Sequence, residues 1–131
     1  MSLRLLLVED KPATREQLIK IIEQSPYTVS CANDGLDGLN CSKNYHYDVV
    51  LIDHKMPLMD GIALIKSLRQ LDAYAQTPIM LMTTQDASQV QPLADKAGAN
   101  LCLAKPVDAA RLLGLLHDLA AATGHPQQST A

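Results

Sequence analysis

Residues 49–61 read VVLIDHKMPLMDG and place one carboxylate, Asp53, directly after four consecutive apolar residues. A run that is apolar at successive positions, and not at alternate ones, is typical of a strand covered on both faces in a parallel sheet. In open α/β sheets, ligands bind outside the carboxyl ends of the strands. The segment therefore predicts an α/β fold with Asp53 at the mouth of a functional site.

The same pattern recurs along the chain. Short apolar runs occupy residues 3–8, 28–32, 49–52, 79–82 and 101–104, and longer amphipathic stretches separate them. This repeated βα pattern predicts a doubly wound, five-stranded parallel sheet with helices on two faces. The run that begins at Thr28 is the weakest of these, so we expect it at an edge of the sheet.

Residues that favour helix starts and ends stand between the apolar runs, at Pro12, 25–26, 33–35, 60–61 and Gly98. Pro92 is the exception, because it falls inside the stretch 86–97, where it would remove a helical hydrogen bond and clash with the preceding turn. We therefore expect the fourth helix to begin late or to be kinked. The last helix is predicted over 107–123.

Length and composition limit the protein class. The 131 residues suit one domain, predicted over 1–123, with residues 124–131 as a polar tail or the start of a linker. A hydrophobic fraction of 47% and a net charge of -3 indicate a globular, mildly acidic protein. This composition disfavours direct binding to nucleic acid, whose phosphates attract basic surfaces.

Cysteine usage and the termini bear on the compartment. Cys31, Cys41 and Cys102 are odd in number and follow no CxxC spacing, so we expect buried, reduced thiols. The sequence shows no secretory leader and no apolar run long enough to span a bilayer. The default expectation is a cytoplasmic protein without membrane contact.

Charged and polar residues follow four of the predicted strands, namely Glu9 and Asp10, Asp53, Thr83, and Lys105. Three carboxylates at adjacent strand ends would repel one another unless a cation lies among them. Mg²⁺ suits such oxygen ligands, because it takes one or two carboxylates and leaves other positions to water and phosphate. Lys105 adds a compact positive charge, and the Thr83 hydroxyl can donate a hydrogen bond to an anionic oxygen.

Together these residues predict a site for phosphoryl transfer. That chemistry needs an in-line nucleophile, a metal ion across the oxygens, and fixed positive charge where negative charge gathers. Asp53 is the candidate nucleophile.

The chain resembles a receiver domain of the two-component response regulators from about residue 3 to residue 123. The matching motifs are Glu9-Asp10, Asp53 with 56–61, Thr83, 97–99 and Lys105-Pro106. The resemblance implies a flavodoxin-like strand order 2-1-3-4-5. It also implies that Asp53 accepts a phosphoryl group from a phosphohistidine on a sensor histidine kinase or a histidine phosphotransfer protein.

The resemblance further assigns roles within the site. Asp10, Asp53 and the backbone carbonyl of Lys55 would surround Mg²⁺, and Glu9 would hold the waters of the metal. Thr83 and Lys105 would hold the phosphoryl oxygens. Family members commonly have a cis peptide before this proline, so Lys105-Pro106 is expected to be cis.

Three positions depart from the family pattern. Receiver domains usually carry an aromatic residue three positions before the lysine, where this chain has Cys102, and Val107 replaces a second common aromatic. Together with Pro92, these changes indicate an altered output surface beside an intact pocket. His54 is expected to be a solvated loop histidine that points away from Asp53.

Other functions stay open at this point. The leading hypothesis is a phosphoacceptor switch with self-catalysed phosphorylation and dephosphorylation, acting on an unidentified protein target, alone or as a homodimer. The alternatives are a phosphorelay or scaffold receiver cut from a larger hybrid kinase or regulator, and a phosphohydrolase with an aspartyl-phosphate intermediate. Haloacid-dehalogenase-like phosphatases place a second acid two residues after the nucleophile, where this chain has Lys55, which disfavours the last alternative.

Overall fold

Strands and helices alternate along residues 2–122, the part of the chain that the computed structural model describes. The elements are β1 (Leu3–Val8), α1 (Pro12–Ile22), β2 (Tyr27–Ala32), α2 (Gly35–Asn44), β3 (Val49–Asp53), α3 (Gly61–Arg69), β4 (Ile79–Thr83), α4 (Ala87–Ala97), β5 (Leu101–Ala104) and α5 (Ala109–Ala122). A short 3-10 helix, Asp72–Tyr74, precedes β4. The predicted tail, 124–131, lies outside the described residues.

The strands form one parallel sheet in the order β2-β1-β3-β4-β5, which confirms the predicted architecture and the edge position of β2. The register pairs Val8 with Ile52, Asp53 with Met82, and Thr83 with Ala104. The carboxyl ends of the four neighbouring strands β1, β3, β4 and β5 therefore lie side by side at one edge of the sheet.

Helices cover both faces of the sheet, as the unbroken apolar runs predict. Val50 and Ile52 of β3 belong to the buried cluster that contains the apolar side of α3 and α4. Val49 and Leu51, which point to the opposite face, belong to the cluster that contains α1 and α5. This alternation also determines which side chains at the strand ends lie on the same face and can contact one another.

The predicted helix boundaries have identifiable caps. Asp34 accepts a hydrogen bond from the backbone N–H of Asp37 at 2.8 Å, and Asp60 accepts one from Ala63 at 2.8 Å. At the end of α4, Gly98 has φ of 112°, the left-handed conformation that favours glycine at this position.

Two expectations about α4 and α5 need correction. A late start for α4 is wrong, because the helix begins at Ala87, where the Asp86 carboxylate accepts a hydrogen bond from Ser88 N–H at 3.0 Å, and it continues through Pro92. The cap fixes the start, and the ring of Pro92 lies on the exposed side. The helix α5 begins at Ala109, two residues later than predicted.

The cysteines also differ from expectation. Cys102 is buried as predicted, but Cys41 is only half-buried and Cys31 is exposed. Cys31 lies on β2, and an edge strand has a neighbouring strand on one side only, so part of its surface faces solvent. The prediction of three buried thiols is therefore wrong for Cys31.

Candidate functional site

The polar residues predicted at the strand ends meet at the carboxyl edge of the sheet. Asp53 and Thr83 are the last residues of β3 and β4, while Glu9 and Asp10 follow β1 and Lys105 follows β5. The parallel register aligns these ends. The structure therefore brings together Glu9, Asp10, Asp53 and Lys105, while Thr83 ends the neighbouring strand with its side chain on the side of His54.

Three carboxylates form the centre of this site. One oxygen from each of Glu9, Asp10 and Asp53 lies within 4.8 Å of the others. Glu9 is fully buried, and Asp53 is 4% exposed. The Oδ1 atom of Asp10 is buried and has no hydrogen-bond partner among the described residues, and such an acceptor costs free energy unless a cation or water satisfies it. These oxygen donors fit a hard divalent cation.

Lys105 compensates two of the three charges. Its Nζ donates hydrogen bonds to Glu9 Oε1 and to Asp53 Oδ1, both at 2.8 Å, and the three side chains are almost completely buried. Burial alone would lower the pKa of Lys105, but the hydrogen bonds and charges of Asp53 and Glu9 outweigh it and raise that pKa. The ammonium therefore stays charged.

Glu9 responds to the same surroundings in the opposite way. Burial raises the pKa of Glu9, the hydrogen bond from Lys105 opposes that rise, and the nearby charge of Asp53 adds to it. The net pKa lies above the ordinary value. The carboxyl group of Glu9 is therefore harder to ionise than an exposed one, chiefly because it is buried.

Thr83 is held by two hydrogen bonds. Its Oγ1 accepts from the backbone N–H of Gln85 at 3.0 Å and shares a hydrogen bond with Nδ1 of His54 at 2.9 Å. Thr83 is 1% exposed. Its hydroxyl is thus fixed on the side of His54.

The expectation that His54 is a solvated loop histidine is wrong, because this residue is 4% exposed, but its side chain points toward Thr83 and away from Asp53, as expected. Its backbone N–H donates to Met82 O at 2.8 Å and continues the pairing of β3 with β4 by one residue. The side chain therefore follows the alternation of Val50 and Ile52 toward the core. Burial, with the nearby charge of Lys55, lowers the pKa of His54.

The loop after β3 closes tightly against the site. Gly61 N–H donates to His54 O at 2.8 Å, and a side chain at Gly61 would overlap the carbonyl oxygen of Asp53. Glycine thus lets α3 start directly beside the candidate nucleophile. Lys55 lies exposed in this loop, and the role of its carbonyl as a metal ligand stays a prediction.

A cleft opens next to Lys105. It has a volume of about 210 Å³ and lies between α1, including Leu18 and Ile21, and the segment 105–107. The Lys105–Pro106 peptide bond is cis, as expected.

Among residues 2–122, no helix combines the length and the apolar character needed to cross a bilayer.

Comparison with known sequences gives a family. The family model described as response regulator receiver domain matches residues 5–117. The sensory/regulatory protein RpfC of Xanthomonas campestris is 35% identical over 124 residues, which cover 93% of this chain and 17% of that protein. The transcriptional activator protein PfeR of Pseudomonas aeruginosa is 40% identical over 111 residues, or 85% of this chain and 35% of that protein.

A third relative is the sensor histidine kinase RcsC of Escherichia coli, which is 34% identical over 106 residues, or 81% of this chain and 11% of that kinase. The chain thus spans only a fraction of each of these relatives. Most of the length of each relative lies outside the matched part.

Solved structures show the same fold. The chemotaxis protein CheY4 of Vibrio cholerae superposes with a TM-score of 0.84 at 28% identity, covering 91% of this chain and 99% of that one. The receiver domain of the sensor histidine kinase PA1611 of Pseudomonas aeruginosa gives a TM-score of 0.83 at 26% identity, covering 92% and 99%. That structure has a magnesium ion coordinated in its active site cleft.

Proposed function

Since the chain belongs to the response regulator receiver domain family, we propose that Asp53 accepts a phosphoryl group and that Mg²⁺ occupies the adjoining acidic cluster. The observation that carries this proposal is the set of three close carboxylates, of which Asp10 keeps a buried oxygen that has no hydrogen-bond partner within residues 2–122. Asp10, Asp53 and the Lys55 carbonyl would hold the ion directly, and Glu9 would hold its waters.

The proposed step is an in-line displacement at phosphorus. A carboxylate oxygen of Asp53 forms a bond to the phosphorus of a phosphohistidine, the P–N bond breaks, and the electron pair leaves with the imidazole. When bound, Mg²⁺ neutralises charge that gathers on the phosphoryl oxygens. Lys105, already 2.8 Å from Asp53 Oδ1, supplies fixed positive charge at the same place.

We propose a histidine kinase or a histidine phosphotransfer protein as the donor. The cleft of about 210 Å³ beside Lys105 supports this assignment, because it gives a partner surface access to the site along α1. The similarity to a transcriptional activator and to a sensor kinase makes both a regulator and a hybrid kinase suitable contexts for the domain.

In this proposal the protein is a phosphoacceptor switch that catalyses its own phosphorylation and dephosphorylation. Phosphorylation would add about 1.5 to 2 negative charges at the carboxyl edge of the sheet and bias a surface that another protein recognises. A phosphohydrolase is less well supported, because the exposed Lys55 stands where that mechanism needs a second acid.

The test is phosphorylation by a small donor. We expect the wild-type protein to gain one phosphoryl group, measured by intact mass, when it is incubated with phosphoramidate or acetyl phosphate and Mg²⁺. The variant Asp53→Asn should gain none, and the control Asp118→Asn, which changes an exposed acid on α5, should behave as wild type. Removal of Mg²⁺ by EDTA should abolish the gain.

Two results would overturn the proposal. One is the absence of added mass in the wild-type protein with Mg²⁺ present. The other is equal addition in the wild-type protein and in Asp53→Asn, which would place the acceptor elsewhere.

A further inference from the structure

The Thr83 hydroxyl, which the family resemblance implies would contact a phosphoryl group on Asp53, is already engaged by His54. Nδ1 of His54 and Oγ1 of Thr83 lie 2.9 Å apart, and both residues are almost completely buried. The second contact of Oγ1, with Gln85 N–H at 3.0 Å, fixes the same rotamer. The Thr83 hydroxyl can therefore leave this position only if at least one of these two hydrogen bonds is broken.

The strand register explains why Thr83 meets His54 and not Asp53. Asp53 is paired with Met82, and the hydrogen bond from His54 N–H to Met82 O extends the pairing by one step. His54 is therefore the lateral neighbour of Thr83. Neighbours in register point to the same face of a sheet, whereas Asp53 points to the other.

We propose that His54 is a positioning residue that holds the Thr83 hydroxyl in the unphosphorylated protein and that competes with the phosphoryl group for it. This inference rests on the proposed phosphorylation of Asp53. In either neutral tautomer of the ring, Nδ1 forms one hydrogen bond with Thr83, and rotation of the hydroxyl toward Asp53 breaks it. His54 thereby opposes the phosphorylated conformation.

The expected size follows from the value of one neutral hydrogen bond. Such a bond changes an equilibrium by roughly 2- to 12-fold. Loss of the His54 contact should therefore tighten the binding of a phosphoryl mimic to Asp53 by this factor. The effect should need the Thr83 hydroxyl and should vanish without it.

Beryllofluoride with Mg²⁺ is a suitable probe, and its dissociation constant can be measured by NMR titration of the full chain. We expect roughly 2- to 12-fold tighter binding in His54→Phe, which keeps a ring but removes the hydrogen-bonding nitrogen. His54→Leu is a second variant with the same expectation, should the first fail to fold. His54→Asn retains a polar atom near the position of Nδ1 and should restore wild-type affinity.

The Thr83→Val background separates positioning from a purely structural effect. There, His54→Phe should leave the dissociation constant unchanged, while urea unfolding reports any loss of stability independently. Unchanged or weaker binding in both folded His54 variants, or an equal effect with and without the Thr83 hydroxyl, would overturn the inference alone. Failure of the wild-type protein to bind beryllofluoride would instead overturn the proposed function as well.

Discussion

Replacement of Lys105 by methionine tests the charge balance of the pocket. Methionine has a similar length but no charge and no donor, so Glu9 and Asp53 would each lose a hydrogen bond of 2.8 Å. Their side chains are 0% and 6% exposed, which leaves little water to replace the ammonium. Removing one partner from a buried ion pair costs about 3 to 5 kcal/mol.

We therefore expect Lys105→Met to lower the free energy of unfolding by about 3 to 5 kcal/mol near pH 8, measured by urea denaturation without Mg²⁺. The control is Lys96→Met, which changes an exposed lysine on α4 and should have little effect. Saturating Mg²⁺ should raise the free energy of unfolding of the variant itself, since a ligand at about 100 times its dissociation constant adds about 2.7 kcal/mol.

The pH dependence has a definite sign. The folded pKa of Glu9 is raised above 4.5, and loss of the hydrogen bond from Lys105 raises it further. A group with a raised folded pKa stabilises the protein fully below its unfolded pKa, and this contribution is lost as pH rises through the folded pKa. The deficit of Lys105→Met should therefore shrink as pH falls from about 8 toward the unfolded pKa of glutamate, about 4.3.

Two results would refute this reasoning. A loss within about 0.5 kcal/mol of that in Lys96→Met near pH 8 would mean that the ammonium does not offset the buried carboxylates. A large deficit that stays constant between about pH 8 and the unfolded pKa of glutamate, about 4.3, would assign the loss to packing instead of charge.

Two further predictions concern stability away from the pocket. Tyr74→Phe should lower the free energy of unfolding in urea by about 2 to 4 kcal/mol. The buried hydroxyl donates to Ser42 O at 2.9 Å and accepts from Tyr47 N–H at 3.2 Å, and phenylalanine makes neither hydrogen bond. A loss below about 0.5 kcal/mol would contradict this prediction. Pro92→Ala should raise the melting temperature, because alanine supplies a backbone N–H that can donate to Ser88 O within α4. In a helix interior, alanine is more favourable than proline by up to about 3 kcal/mol. An unchanged or lower melting temperature would contradict this prediction.

The fold and the pocket were predictable because their signals are local. Each strand is an unbroken apolar run, and in a parallel sheet the residues that end such runs must lie at one edge. Once that edge carries Asp53, Thr83 and Lys105, the chemistry of the site is largely specified by residue type. The helix starts were similarly predictable, since Asp34 and Asp60 are cap residues whose function depends only on the next turn.

Predictions from the sequence were wrong where a second signal outweighed the one on which they rested. The exposure of Cys31 follows from the edge position of β2, and the early start of α4 follows from a cap at Asp86 that outweighs the disfavoured Pro92. In both cases a local rule was correct in itself. For Cys31 the position of its strand in the sheet determined the outcome, and for α4 a second local signal, the Asp86 cap, did.

His54 shows how a one-residue error in a strand boundary hides a functional contact. The sequence prediction ends the strand at Ile52, which makes His54 a loop residue. In the structure the strand ends at Asp53, and the backbone N–H of His54 still donates to Met82 O of the neighbouring strand. With the boundary moved by one residue, the alternation alone places the His54 ring on the same face as Thr83. Asp53, the proposed phosphoryl acceptor, and the histidine after it thus face opposite sides of the sheet, and the Thr83 hydroxyl lies on the side of His54.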